Sequence, residues 1–146
     1  INKFNDNIGQ TIWRKEMNLK NRTVLVSGGS RGIGLAIAKK LGENGANIVI
    51  AAKTVKPHPK LPGTIYTAAK EVEQLGATCL PIECDIRFEE QVQATVETCV
   101  KEFGGIDICV NNASAIAPFA TSSLDMKRYD LMQDINTRGS FLLTKT

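Results

Sequence analysis

An α/β fold built on a doubly wound parallel sheet is what this sequence predicts, on three observations. Four short apolar runs rich in branched residues barely alternate with polar ones, as strands covered on both faces should. Amphipathic segments of helical period separate these runs. Asn-Gly or glycine ends each such segment, as C-terminal glycines end helices. The resulting order, β-α-β-α-β-α-β-α, implies right-handed crossovers with helices on both faces of one sheet.

The elements follow in order along the chain. Residues 1–20 are a polar N-terminal extension carrying both signs of charge, with Ile8, Ile12, Trp13 and Met17 at loosely helical spacing. A transit peptide would be poorer in acids. The first strand is predicted at Thr23-Val24-Leu25-Val26, and the helix after it carries Ile33, Ile37 and Leu41 before Asn44-Gly45. The second strand is Asn47 to Ala52, and a proline-rich connection, Pro57 to Pro62, leads to a helix with Ile65, Ala69, Val72 and Leu75, stopped by Gly76. The third run, Ala77 to Cys84, contains Pro81. Proline lacks the N–H that a central strand donates, so this strand is expected at an edge. Phe88, Val92, Val96, Cys99 and Phe103 form the next helical stripe, ended by Gly104-Gly105, and Ile106 to Val110 is the fourth strand. With order 3-2-1-4 the fourth strand becomes an edge, yet Ile108-Cys109-Val110 carries no protecting charge, which suggests a fifth strand beyond this chain. Leu124, Leu131, Ile135 and Leu142 on the last helix read as core or oligomer contacts.

Composition narrows the function classes. The 146 residues are 42% hydrophobic and 23% charged with net charge +3, as expected of one ordinary globular domain. The longest clean apolar stretch is Ile48 to Ala52, so no membrane span is expected. The positive excess is scattered and forms no stripe for a nucleic acid. Cys79, Cys84, Cys99 and Cys109 have mostly apolar neighbours, and His58 is the only histidine. Reduced, buried thiols in an intracellular protein are predicted, with no metal site.

The informative stretch is Ser27-Gly28-Gly29-Ser30-Arg31-Gly32-Ile33-Gly34, between the first strand and its helix. Glycines there permit positive φ and remove Cβ atoms, so backbone amides and a helix N-terminus can face a pyrophosphate. The placement predicts a Rossmann-type dinucleotide unit; a tight turn without ligand is the alternative. In NAD-binding units a carboxylate about 20 residues further on accepts from the ribose 2′-hydroxyl. Here Ala51-Ala52-Lys53 occupies that place. Lys53 would neutralise a 2′-phosphate, with Arg31 as a second contact, so NADP(H) is expected in preference to NAD(H).

At this point the chain resembles the short-chain dehydrogenase/reductase family from Asn21 to Thr146. Ser27 to Gly34 is similar to its T-G-x-x-x-G-x-G motif, with Ser27 for Thr. The resemblance implies that Asp85 bonds the adenine amino group. Asn111-Asn112-Ala113-Ser114 resembles N-N-A-G, with Asn112 and Ala113 on the cofactor side and Ser114 in place of Gly. Asn136, in Ile135-Asn136-Thr137-Arg138-Gly139, would be the tetrad Asn whose main-chain carbonyl holds a water.

On that resemblance, residues 21–146 are the N-terminal part of an NADP-binding domain. The family's Ser, Tyr and Lys would follow a fifth strand, so the segment alone is expected to be inactive. Tyr66-Thr67-Ala68-Ala69-Lys70 mimics Y-x-x-x-K but precedes the third strand and is read as a decoy. Ala51 to Thr54 and Pro57 to Tyr66 resemble a hydroxysteroid dehydrogenase-like branch. That branch implies a lipid-like substrate, a homo-oligomer and a peroxisomal or mitochondrial location. A cofactor-binding sensor or scaffold without catalysis is the competing function.

Overall fold

A computed structural model of the chain describes residues 18–146. Strands β1 (Thr23–Ser27), β2 (Asn47–Ala52), β3 (Cys79–Glu83) and β4 (Ile108–Val110) form one sheet in the order β3-β2-β1-β4. All three pairings are parallel, with Leu25 opposite Val49 and Cys109, and Ile50 opposite Pro81. Helices α1 (Gly32–Glu43), α2 (Ile65–Glu73) and α3 (Glu89–Phe103) make the crossovers. A 3₁₀ turn, Thr121–Ser123, precedes α4 (Met126–Met132), which runs through π-helical turns at Gln133–Gly139 into α5 (Ser140–Lys145). Among the described residues no helix is long and apolar enough to cross a membrane.

Alternation of side chains across the strands divides the core in two. Val24, Val26, Ile48 and Ile50 face one cluster with Ala38, Ile65, Ala68 and Val72 of α1 and α2. Leu25, Val49 and Ala51 face the other, with Val92 and Cys99 of α3 and Ile135, Leu142 and Leu143 of the last helical segment. Both faces of β1 and β2 are therefore dry, which explains why their sequences do not alternate in polarity.

Pro81 lies on the edge strand, where its missing N–H costs no ladder bond. Each predicted helix stop is present. Gly45, Gly76 and Gly104 adopt φ of +90°, +87° and +81° just past α1, α2 and α3, conformations that glycine reaches without steric cost.

The structure corrects three expectations. The buried face of α1 is Gly34, Ala38 and Gly42, whereas Ile33 is 76% exposed. Small residues bring this helix close: a Cβ on Gly42 would lie 3.0 Å from Ala77 Cβ and 3.2 Å from Val72 Cγ1. Phe88 and Leu75 are exposed rather than core; the Phe88 ring lies under the Arg87 guanidinium, 5.3 Å from its centroid. Cys79, Cys84 and Cys99 are buried as expected, but Cys109 is exposed, because β4 has only β1 beside it among the described residues. On the last helix Ile135 and Leu142 join the core while Leu131 is exposed. Ile8, Ile12, Trp13 and Met17 lie outside the described residues.

Candidate functional site

The carboxyl ends of all four strands open into one cleft of about 450 Å³. It sits where the sheet changes winding direction, with the crossover through α1 on one side of β1 and β4 on the other. Gly28, Ser30, Arg31, Ile33 and Gly34 line it from the glycine loop, Lys53 from the end of β2, Asp85 from the end of β3, and Asn112 and Ala113 from beyond β4. Apart from Asn136, the sequence-predicted residues thus converge; Ser27 at the end of β1, Gly29 and Gly32 belong to the same stretch without lining the cleft.

Ser27 and Asn112 build this floor. The fully buried Ser27 hydroxyl donates to Val110 O (3.2 Å) and accepts from the N–H groups of Asn112 (3.0 Å) and Ala113 (3.1 Å). The Asn112 side-chain amide donates to Ser27 O (2.9 Å) and Gly28 O (3.1 Å). A hydroxyl at position 27 satisfies all three contacts, so the exchange of Thr for Ser keeps the joint intact.

Two glycines are required by proximity. Gly28 has φ +67°, and a Cβ on it would lie 2.8 Å from Ala113 Cα. A Cβ on Gly34 would strike the Asn112 amide and stand 2.6 Å from Gly28 O. The first turn of α1 therefore lies directly on the loop. Arg31, at the N-cap, makes no capping side-chain bond, and no acid occupies the first turn. The leading amides of α1 are left for a ligand, and the helix dipole favours an anion there.

Charge on the other wall is organised around Asp85. Its carboxylate accepts from Arg87 Nε (2.9 and 3.1 Å) and Nη2 (2.6 Å), and Lys53 Nζ stands 4.0 Å away. The Arg87 bonds hold the Asp85 carboxyl below its ordinary range, more strongly than burial pushes it up. With Asp85 engaged by Arg87, Lys53 and Arg31 leave the lining with cationic character. Free amides, a helix start and two cations suit a ligand bearing phosphates, and the volume admits a nucleotide. Among the described residues no cluster of three or more His, Cys, Asp or Glu could hold a metal ion.

Asn136 does not line the cleft. Its side chain caps the strand extension, accepting from Ala115 N–H (2.9 Å) and donating to Ala115 O (2.9 Å). It lies in the π-helical turns, a local irregularity found often at functional sites. Gly139 in the same turns lets them press on Ile86, whose Cδ1 would lie 2.8 Å from a Cβ there. Tyr66 and Lys70 are exposed on α2 and outside the cleft lining. His58 is an exposed loop residue, accepting at Nδ1 from Lys60 N–H (3.1 Å).

Sequence reasoning missed Arg87 and Gly63. The two-residue step Asp85-Ile86-Arg87 is compatible with a carboxylate-guanidinium turn, but such a step is too common to single out Arg87 without its partner in view. Gly63, whose carbonyl accepts from Arg31 Nη2 (3.3 Å), figured only as one residue of the Pro57 to Tyr66 stretch.

Comparison with known proteins agrees with this geometry. Hydroxysteroid dehydrogenase-like protein 2 of Homo sapiens is 58% identical over 123 residues, which cover 84% of this chain and 29% of that protein. The Xenopus laevis protein of the same name is also 58% identical over 123 residues, 84% of this chain and 30% of its own. The chain thus spans less than a third of these relatives. A solved short chain dehydrogenase from Mycobacterium thermoresistibile superposes with a TM-score of 0.85 at 54% identity, over 88% of this chain and 46% of that one. L-sorbose reductase from Gluconobacter frateurii, solved with NADPH and L-sorbose, gives 0.79 at 28% identity, over 89% and 47%. The profile of the short chain dehydrogenases matches residues 22–146, a span that holds the whole cleft lining, and the chain belongs to that family.

Proposed function

We propose that this chain is the cofactor-binding part of an NADP(H)-dependent oxidoreductase acting on a carbonyl or secondary alcohol of a lipid-like substrate. The observation that carries the cofactor reading is the end of β2, where Lys53 stands in place of a carboxylate and lines the same cleft as Arg31. The nicotinamide, when bound, supplies hydride transfer at its C4. The residues of this chain bind and orient. Ser27 to Gly34 present backbone amides to the pyrophosphate, Lys53 and Arg31 meet the 2′-phosphate, Asp85 takes the adenine amino group, and Asn112 and Ala113 shape the floor. Asn136 contributes its main-chain carbonyl.

The names of the relatives support a hydrophobic alcohol or ketone as substrate. Turnover is proposed for the full-length protein and not for these residues alone, whose one Tyr-x-x-x-Lys pair, Tyr66 and Lys70, is outside the cleft lining. Assembly through the last helix as a homo-oligomer is part of the same proposal.

Titration of the full-length protein with NADPH and NADH tests the cofactor reading. Replacing the cation by an acid in Lys53→Asp is expected to weaken NADPH by about 10- to 100-fold, because an attraction to the 2′-phosphate becomes a repulsion. An unchanged preference sinks the assignment of Lys53. NADPH binding without turnover of any sterol or fatty-acyl ketone would favour a binding-only role.

A further inference from the structure

The connection from β2 to α2 is longer than linking these elements requires, and it is tied at its base and its exit. Ile65 N–H donates to Thr54 O (2.9 Å) across its base, and a capping box between Thr64 and Thr67 fixes its exit. Pro57, Pro59 and Pro62 restrict φ along it, and His58 pairs with Leu61 near its tip. Its far end rests on the glycine loop. Gly63 has φ +81°, and a Cβ there would lie 2.8 Å from Ser30 O. No other residue allows this approach without moving one of the two loops.

At that contact Arg31 makes its one side-chain hydrogen bond among the described residues, from Nη2 to Gly63 O. We propose that the Gly63 carbonyl, brought against the glycine loop by the proline-rich connection, fixes the Arg31 guanidinium at the rim of the cleft and thereby sets the preference for NADP(H) over NAD(H). The inference rests on the NADP(H) reading above and names Gly63 as a positioning residue within it. An unrestrained arginine loses rotamer freedom when it binds an anion; one already tethered through Nη2 keeps Nε and Nη1 for the ligand and loses less. Only a cofactor with a 2′-phosphate gains from this, because the 2′-hydroxyl of NAD(H) offers no charge for a guanidinium to meet.

The test is fluorescence titration of the full-length protein with NADPH and NADH, in wild type, Gly63→Ala, Arg31→Ala and the double variant. Gly63→Ala is expected to weaken NADPH by about tenfold and NADH by less than about twofold, because the charge-assisted hydrogen bond from Arg31 is made to NADPH alone. In the Arg31→Ala background, Gly63→Ala should leave the ratio of the two affinities unchanged, because the residue acts through Arg31. An equal weakening of both cofactors, an unchanged ratio in the single variant, or additive effects in the double variant overturns the proposal. Should Gly63→Ala fail to fold, Pro62→Gly loosens the same junction while keeping Gly63; it must lower the ratio, and an unaltered ratio is equally fatal. Wild-type protein with no preference for NADPH refutes the NADP(H) reading itself. A wild-type preference that survives Gly63→Ala refutes the positioning role alone.

Discussion

Arg87 shows how one side chain controls both stability and charge in the cleft. Its three bonds to Asp85 lie on a carboxylate whose side chain is only 13% exposed. Because Asp85 titrates lower when folded, the stability it contributes is present above the ordinary carboxylate pKa and is lost as pH falls through its depressed native value. Arg87→Gln is therefore expected to destabilise by about 1 kcal/mol at neutral pH, the lower end for a charge-assisted bond, given the partial exposure of the arginine. The gap between variant and wild type should close as pH drops below about 4, in urea melts repeated across pH. A gap that stays constant with pH would mean that Arg87 acts through packing on Phe88 instead. The cleft's principal residues were legible because each has a distinctive type at a distinctive place: glycines after a strand, Lys53 where an acid is usual, Asn112 past β4. Arg87 was not, since an arginine on a polar turn resembles any solvated cation until its partner is known.

Helix α1 shows a limit of periodicity at the scale of an element. Ile33, Ile37 and Leu41 recur every fourth residue, and so do Gly34, Ala38 and Gly42, one position along. Both sets define a stripe; of the larger one Leu41 packs against the core while Ile33 is exposed, and the fully buried face is the small one. The helix must approach the glycine loop, where a Cβ on Gly34 would collide with Gly28 O, so closeness selects the small face. Ala38 is fully buried on that face. Ala38→Leu is expected to cost about 2 kcal/mol or more, as overpacking does when backbone cannot retreat, whereas Ile33→Ala should stay within about 0.5 kcal/mol. Equilibrium unfolding in urea compares the two directly; a larger loss of stability for Ile33→Ala would contradict the assignment of faces. The other elements were legible for opposite reasons: α2 and α3 do bury large residues at Ile65, Val72 and Val92, and Pro81 marked the edge strand by a donor it lacks. The π-helical turns at Gln133–Gly139 had no such mark in the sequence; at their end Gly139 lies against Ile86, a contact that only the fold reveals.

At the scale of the whole molecule, β1 and β2 belong to both cores at once. Val24 and Val26 are buried in one cluster while Leu25, between them, is buried in the other, and Ile48, Val49, Ile50 and Ala51 repeat the pattern. Neither face can open without taking these strands away from its opposite, so the two cores should unfold together. The cysteines report on this because they divide between the faces, Cys79 in the first cluster and Cys84 and Cys99 in the second. Burial pushes the Cys79 thiol up to about 12 and the Cys99 thiol to about 11, and it raises Cys84 as well. In the native protein at pH 8, thiol reagents should reach Cys109 first, since it alone among the four is exposed. Pulse labelling across a urea series, read by mass spectrometry, should then give one common midpoint for Cys79, Cys84 and Cys99. Separate midpoints for Cys79 and Cys99 would show that one layer of helices leaves the sheet before the other, and that the shared strands do not bind the two cores into a single unit.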